Sequence, residues 1–266
     1  MATTGLATIG TAENLGTLLK AWRPRLAQIY GEGEEATGRF LAVVAACVRR
    51  NPGLKNCTVD SFRTAIENAA ALKLLPTGLM NLGWIIPFGK EATFVAGYRG
   101  LLDVAYRSGR IAGYDVGLVH KTDEYRYIRG LDLTLEHTPH FQGVFSYEDR
   151  AALVAGYATW WDVLNGQKIA QRQVWLWHEQ IERLRKKSKM ADSGPWRTDY
   201  HPMALKAIVR ASTALMPLTP EQDALLARAY EAEDEQLGME KTIDITPNQP
   251  AATEPGRAEM FPKGEE

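Results

Sequence analysis

Cysteine is nearly absent from this 266-residue chain: Cys47 and Cys57 are too few for a disulfide scaffold and lack zinc-type spacing. A reduced cytosol is the expected compartment. No apolar run approaches the roughly 18–20 residues that a membrane span needs. The opening residues, MATTGLATIGTAENLG, have no basic stretch ahead of an apolar core, so no secretory signal is expected. Nucleotide motifs are missing too. Gly89-Lys90 is followed by Glu91 instead of Ser or Thr and lacks the earlier glycine of a phosphate loop, and the chain shows no G-x-G-x-x-G and no G-x-S-x-G elbow. These absences leave little for covalent chemistry to rest on.

Charge is present in an uneven distribution. The formal net charge is −1, yet residues 219–266 hold 12 acidic against 4 basic residues, a balance of −8. Residues 1–218 therefore hold 27 basic and 20 acidic residues, a balance of +7. A basic body followed by an acidic segment points to a polyanionic partner for the body.

The stretch Asn81–Arg110 organises the rest. Trp84-Ile85-Ile86 is an apolar run broken by Pro87, which suits an edge strand. Gly89-Lys90 supplies a two-residue turn of the II′ kind, and Ala92–Val95 is the returning strand. After Gly97 the period becomes helical: Tyr98, Leu101, Leu102 and Ala105 form one stripe, with Arg99, Asp103 and Arg107 on the opposite face.

Upstream, residues 1–10 have the composition of a disordered terminus, and residues 14–30 and 34–50 read as helices. The second carries the stripe Phe40, Val43, Val44 and Cys47. A third helix is capped by Asp60 or Ser61, with Phe62, Ala65, Ile66, Ala69 and Leu72 facing inward. Downstream, residues 111–177 are mostly strand: Tyr114–Val119, Tyr125–Tyr127, Leu131–Leu135, and a long hairpin turning at Asn165-Gly166, with Trp160, Trp161, Trp175 and Trp177 mostly in the core. Helices return at residues 178–187, from about Tyr200 to Met216, and after Pro220 to about Gln236. The reading is α+β: N-terminal helices, a central mainly antiparallel sheet with an inserted helix, C-terminal helices and a disordered acidic tail. The domain runs over 11–236 (helical part 11–75, hairpin, helix and sheet 81–177, basic finger and helices 178–236), and the tail over 237–266.

Basic and aromatic positions supply the candidate site. In the opening stretch they are Lys90, Tyr98, Arg99 and Arg107, whose bland reading is a solvated face with Asp103 pairing both arginines. Next come Arg183, Arg185, Lys186, Lys187 and Lys189, either favoured charges at a helix C-terminus or a mobile basic finger. The third group lies in residues 193–218. Lys206 and Arg210 are one helical turn apart beside a buried face of Leu205, Ile208, Val209, Ser212 and Leu215. Like charges at that spacing repel, and a shared anion reverses the sign. Trp196 could stack a base or plug the core of its loop. The rival chemistry is a metal-dependent nuclease built on Asp132, Glu136, His137 or His140, against which stands a polar loop beside Pro139. A non-annealing recombination mediator that binds a host single-strand-binding protein is the other alternative.

The run IIPFGKEATFVAGYRGLLDVAYRSGRI, followed about 90 residues later by PW-x3-Y-x2-MALKAIVR-x5-MPL, resembles the RecT family of phage and prophage single-strand annealing proteins. It departs at Ala207, where the family commonly has Thr. The resemblance implies a DNA-binding protein without a catalytic centre, assembled as a homo-oligomer in rings or helical filaments. Such a protein pairs complementary strands without ATP in the cytoplasm of a bacterial host. Single-stranded DNA and the annealed duplex are the implied ligands, and a phage exonuclease and host single-strand-binding protein the implied partners. No membrane is involved and no cofactor is required; Mg²⁺ enters only as a modulator of annealing. Contacts are expected from Lys90 and Thr93 on the hairpin; Tyr98, Arg99 and Arg107 on the next helix; Lys186, Lys187 and Lys189 on the finger; and Trp196, Lys206 and Arg210.

Overall fold

A computed structural model describes residues 7–10, 15–128, 134–140 and 148–237 of the chain. In order, it contains α1 (Leu15–Tyr30), α2 (Gly33–Arg50), α3 (Val59–Ala71), β1 (Gly83–Phe88), β2 (Glu91–Ala96) and α4 (Tyr98–Tyr106). There follow β3 (Ile111–His120), β4 (Glu124–Ile128), β5 (Thr134–Thr138), β6 (Leu153–Leu164) and β7 (Gln167–Trp177). The chain then returns to helix in α5 (His178–Lys186), α6 (Pro195–Thr198), α7 (Tyr200–Thr213) and α8 (Pro220–Leu237). This is the α+β order the sequence indicates, with every strand pair antiparallel. The sheet is divided into a β1–β2 ribbon, a three-stranded β3-β6-β7 sheet and a β4–β5 ribbon.

Local residues explain the elements. In α3 all five expected inward positions, Phe62, Ala65, Ile66, Ala69 and Leu72, are buried. Its cap is Thr58 instead of Asp60 or Ser61: the Thr58 hydroxyl accepts the Ser61 N–H at 3.3 Å. In α2 the buried stripe is Thr37, Phe40, Leu41, Val44 and Val48, with Val43 and Cys47 half-buried beside it, and Tyr30 at the end of α1 stacks on Phe40. Both tight turns fall where expected. Gly89 has φ +61°, and Asn165 and Gly166 have φ +52° and +77°, the pair of positive angles a I′ turn requires.

Residues 7–10, read as part of a disordered terminus, are tied down: Ile9 is buried and its N–H reaches the Cys57 carbonyl at 3.0 Å. The Gly10 N–H reaches the Lys55 carbonyl at 2.8 Å and the Val59 N–H the Ala7 carbonyl at 3.0 Å, so the segment is held along its backbone against the turn before α3. Residues 1–6, the tail beyond 237 and residues 131–133 of the expected Leu131–Leu135 strand lie outside the described residues.

The largest core joins α1–α3, the β1–β2 ribbon, α4 and α8. A second core seats α5, α6 and α7 against one face of the β3-β6-β7 sheet, and a third places the β4–β5 ribbon on the other face. Trp160 and Trp175 are buried, in line with the core reading, while Trp161 and Trp177 are half-buried. Asp123 fastens the ribbon. It accepts the N–H groups of His120 and His140 at 2.7 and 2.9 Å and lies 3.1 Å from His137 Nε2.

The β1–β2 ribbon, which carries Lys90, is anchored at its tip. The Thr58 N–H donates to the Lys90 carbonyl at 2.8 Å and the Ala92 N–H to the Ser61 hydroxyl at 3.0 Å. Gly100 of α4 lies so close to the chain before β1 that a Cβ there would stand 2.1 Å from the Leu82 carbonyl oxygen.

Two outcomes follow. Gly100→Ala pushes a methyl into backbone and should cost about 1–3 kcal/mol, read as a lower urea midpoint. Burial also holds the His120 and His201 imidazoles below the ordinary histidine range; at His120 Asp123 opposes the effect and the His137 charge adds to it, and at His201 the His120 charge adds to it. The unfolded chain therefore binds more protons. Stability should be complete above about pH 6.5, the unfolded imidazole value, and decline as pH falls below it, measured by the thermal midpoint; His201→Gln should flatten that decline.

Candidate nucleic-acid interface

Helix α7 is the element on which the candidate site turns. It packs on α4, β6, β7 and β3 and lies beneath α8. Leu205, Ile208, Val209 and Ser212 are buried as their spacing indicates, whereas Leu215 falls beyond the helix end and is 54% exposed. Lys206 is itself buried rather than at the margin of that face. Both cations of the Lys206/Arg210 pair have anions. Lys206 Nζ donates to Glu233 Oε1 at 2.6 Å, and the Arg210 guanidinium grips both carboxylate oxygens of Asp234 at 2.9 and 2.8 Å. The expected repulsion is thus relieved from within the chain, by α8.

Burial lowers the pKa of the Lys206 ammonium despite its pairing with Glu233. At Arg210 burial acts the same way, but the Asp234 hydrogen bonds and the two carboxylate charges outweigh it and the pKa rises. The Arg210 guanidinium also lies over the Tyr230 ring, 4.4 Å from its centroid. Burial pushes the Tyr230 phenol up to about 12, and its oxygen is 2.8 Å from the Thr213 hydroxyl. Breaking one partner of such a buried pair costs about 3–5 kcal/mol, because a charge is left uncompensated.

The other expected contacts fall into two groups. Lys90, Arg99, Lys186, Lys187 and Lys189 are exposed. Lys90 stands at the tip of the anchored ribbon and Arg99 in the first turn of α4. Tyr98 is half-buried and packs against two of the three cores. Thr93 and Trp196 are buried, at 6% and 5% exposure. Trp196 lies 5.8 Å from Tyr200, edge to face, so the plug reading describes its place and its ring is closed to a base. Arg107 is engaged by structure: it donates to Asp103 at 3.1 Å and to the Leu72 carbonyl at the C-terminus of α3 at 2.7 Å. Asp103 pairs with Arg107 and not with Arg99.

The basic run that closes α5 and continues past it is likewise divided. Arg185 points inward, donating to Glu182 at 2.9 Å, to Asp192 at 2.8 Å and to the Ala191 carbonyl at 3.1 Å. Glu182 also accepts the Tyr200 hydroxyl at 2.8 Å. Burial raises the pKa of its carboxyl, but the Tyr200 and Arg185 hydrogen bonds and the Arg185 and Arg150 charges prevail and hold it below the usual range. The finger is therefore pinned from inside by Arg185 and carries Arg183, Lys186, Lys187 and Lys189 outward.

Of the residues weighed for a metal, Asp132 lies outside the described residues. His137 has Asp123 at one ring nitrogen, 3.1 Å away, and the Tyr157 hydroxyl at the other, 3.4 Å away. Among the described residues no group of three His, Cys, Asp or Glu side chains is arranged to hold an ion. No described helix is long and apolar enough to cross a membrane.

Sequence reasoning missed Glu233 and Asp234. Their spacing behind Leu226, Ala229 and Tyr230 was the available signal, since i+3 and i+4 steps put them on the same side of α8.

Comparison with known proteins agrees with the motifs. The chain is 29% identical over 193 residues to Protein RecT of Escherichia coli (strain K12), covering 69% of this chain and 67% of that protein. It is 26% identical over 214 residues to the uncharacterized protein YqaK of Bacillus subtilis (strain 168), covering 80% and 69%. The family model described as RecT family matches residues 38–249. That span takes in the hairpin, α4, the central sheets and both cations of α7 with their α8 partners, and on it the chain belongs to the RecT family, single-strand annealing proteins of DNA recombination.

Proposed function

We propose that this protein binds single-stranded DNA through its phosphates, assembles as a homo-oligomer along it, and pairs complementary strands without ATP or any covalent step. Family membership over residues 38–249 is the observation that carries the reading. The structure supports it with a body whose residues 1–218 have a balance of +7 and whose exposed cations are held on anchored elements. Lys90 is fixed by the Thr58 hydrogen bond, Arg99 by the seating of α4, and the finger by Arg185.

An annealer has to grip the backbone and leave base edges free to pair, because a protein that reads bases competes with the second strand. Lysine and arginine meet that need through counterion release, which makes affinity steep in salt. On this reading the first contacts are Lys90, Arg99, Lys186, Lys187 and Lys189, with Tyr98 beside them. Arg107, Thr93 and Trp196 hold the frame those contacts stand on. A phage exonuclease that exposes the strand and the host single-strand-binding protein are the natural partners, and the bacterial cytoplasm the place.

Two complementary oligonucleotides mixed with the protein, without nucleotide, should form duplex faster than alone while light scattering shows large particles. A need for ATP, or annealing by a strict monomer, would sink the respective part of the proposal. Changing Lys186, Lys187 and Lys189 together to alanine should weaken binding of every sequence alike and flatten the salt slope by about two units, at roughly 0.7 per phosphate on single strands. Sequence-selective loss would count against backbone recognition.

A further inference from the structure

We propose that the C-terminal part of α8 is a displaceable cover: Glu233 and Asp234 occupy a two-phosphate site on α7 that a DNA strand takes over. The inference rests on the single-strand-binding reading above. Its chemistry lies in the pair of contacts on α7. An arginine fork that holds both oxygens of Asp234 at 2.9 and 2.8 Å has the geometry that grips two oxygens of a phosphodiester. The Lys206 ammonium, one turn earlier and 2.6 Å from Glu233, is a point charge that accepts either anion. Successive phosphates along a strand can replace successive carboxylates along a helix.

The way α8 is held points the same way. Its first part is anchored by apolar contact, with Leu226, Ala229 and Tyr230 buried. Beyond Tyr230, Glu233 is the one buried residue among the described side chains, while Glu231 and Glu235 are exposed. The last turns are thus held by charge, and the first by oil. Charge pairs exchange for other charge pairs at small net cost, whereas apolar burial does not. Tyr230, with its ring under Arg210 and its hydroxyl on Thr213, marks the boundary between the two parts. Lifting the turns beyond it uncovers Lys206 and Arg210 without opening the core. The helix also carries six acidic residues against one basic, so while seated it repels the polyanion whose site it fills.

The test uses the full chain and a single-stranded oligonucleotide. Glu233→Gln with Asp234→Asn keeps hydrogen-bond acceptors for both cations while removing the competing charge. This double variant should bind about tenfold more tightly at moderate salt and lose affinity more steeply as salt rises. In the wild type, amides of residues 231–237 should lose hydrogen-exchange protection when the oligonucleotide saturates the protein, while those of α7 keep theirs. That second measurement decides the matter even if the double variant folds poorly. Wild-type binding with unchanged affinity in the variant and persistent protection of 231–237 in the complex would overturn the cover alone. Failure of both proteins to bind DNA at low ionic strength would overturn the cover and the proposed function together.

Discussion

Two cations placed one turn apart on a buried helix face need anions, and the fold is arranged around meeting that need. α7 lies at the centre, against the sheet on one side and α4 on another. Lys206 and Arg210 cannot be sealed beneath another element unless that element brings negative charge, and α8 brings it in Glu233 and Asp234. Apolar packing at Leu226, Ala229 and Tyr230 sets the position of α8, and the ion pairs set its register against α7.

The same logic of internal neutralisation recurs across the molecule. Arg185 is enclosed by Glu182 and Asp192 and organises the loop that carries the exposed lysines. Arg107 bridges the ends of α4 and α3 through Asp103 and the Leu72 carbonyl. Asp123 gathers three segments around the base of the β4–β5 ribbon. In each case one charged side chain ties separate segments together, over a few residues at Arg185 and over longer stretches at Arg107 and Asp123, and other charges nearby stay in water. The division of labour is between cations that build the frame and cations that are offered to solvent.

Much of the fold was legible in local patterns. The Gly89-Lys90 and Asn165-Gly166 turns, the helical stripe Leu101, Leu102 and Ala105, and the inward face of α3 follow from turn chemistry and periodicity, which act over a few residues. The candidate site was less legible, because which cation faces inward depends on partners that local periodicity does not pick out, whether seven residues away, as Asp192 is from Arg185, or 24, as Asp234 is from Arg210. Nothing around Arg185 announces Asp192 as its anion, and nothing around Lys206 announces Glu233, 27 residues later. The helix after Pro220 was legible and half of the 12 acidic residues of 219–266 fall in it, yet nothing local showed that two of them, Glu233 and Asp234, would be seated on α7. That Lys90 and Arg99 are exposed and have no ion pair among the described residues is likewise a property of three-dimensional surroundings.

The tight seating of α4 has a mechanical consequence. Gly97 donates to the Leu82 carbonyl at 3.0 Å, Gly100 admits no side chain, and the ribbon beside them is tied to α3 at its tip. Lys90 and Arg99 are therefore mounted on one stiff bracket, whatever the long lysine and arginine stems do at their ends. On the proposed function, a strand laid across that bracket meets a gauge of constant span, and the strand, not the bracket, has to adjust its spacing.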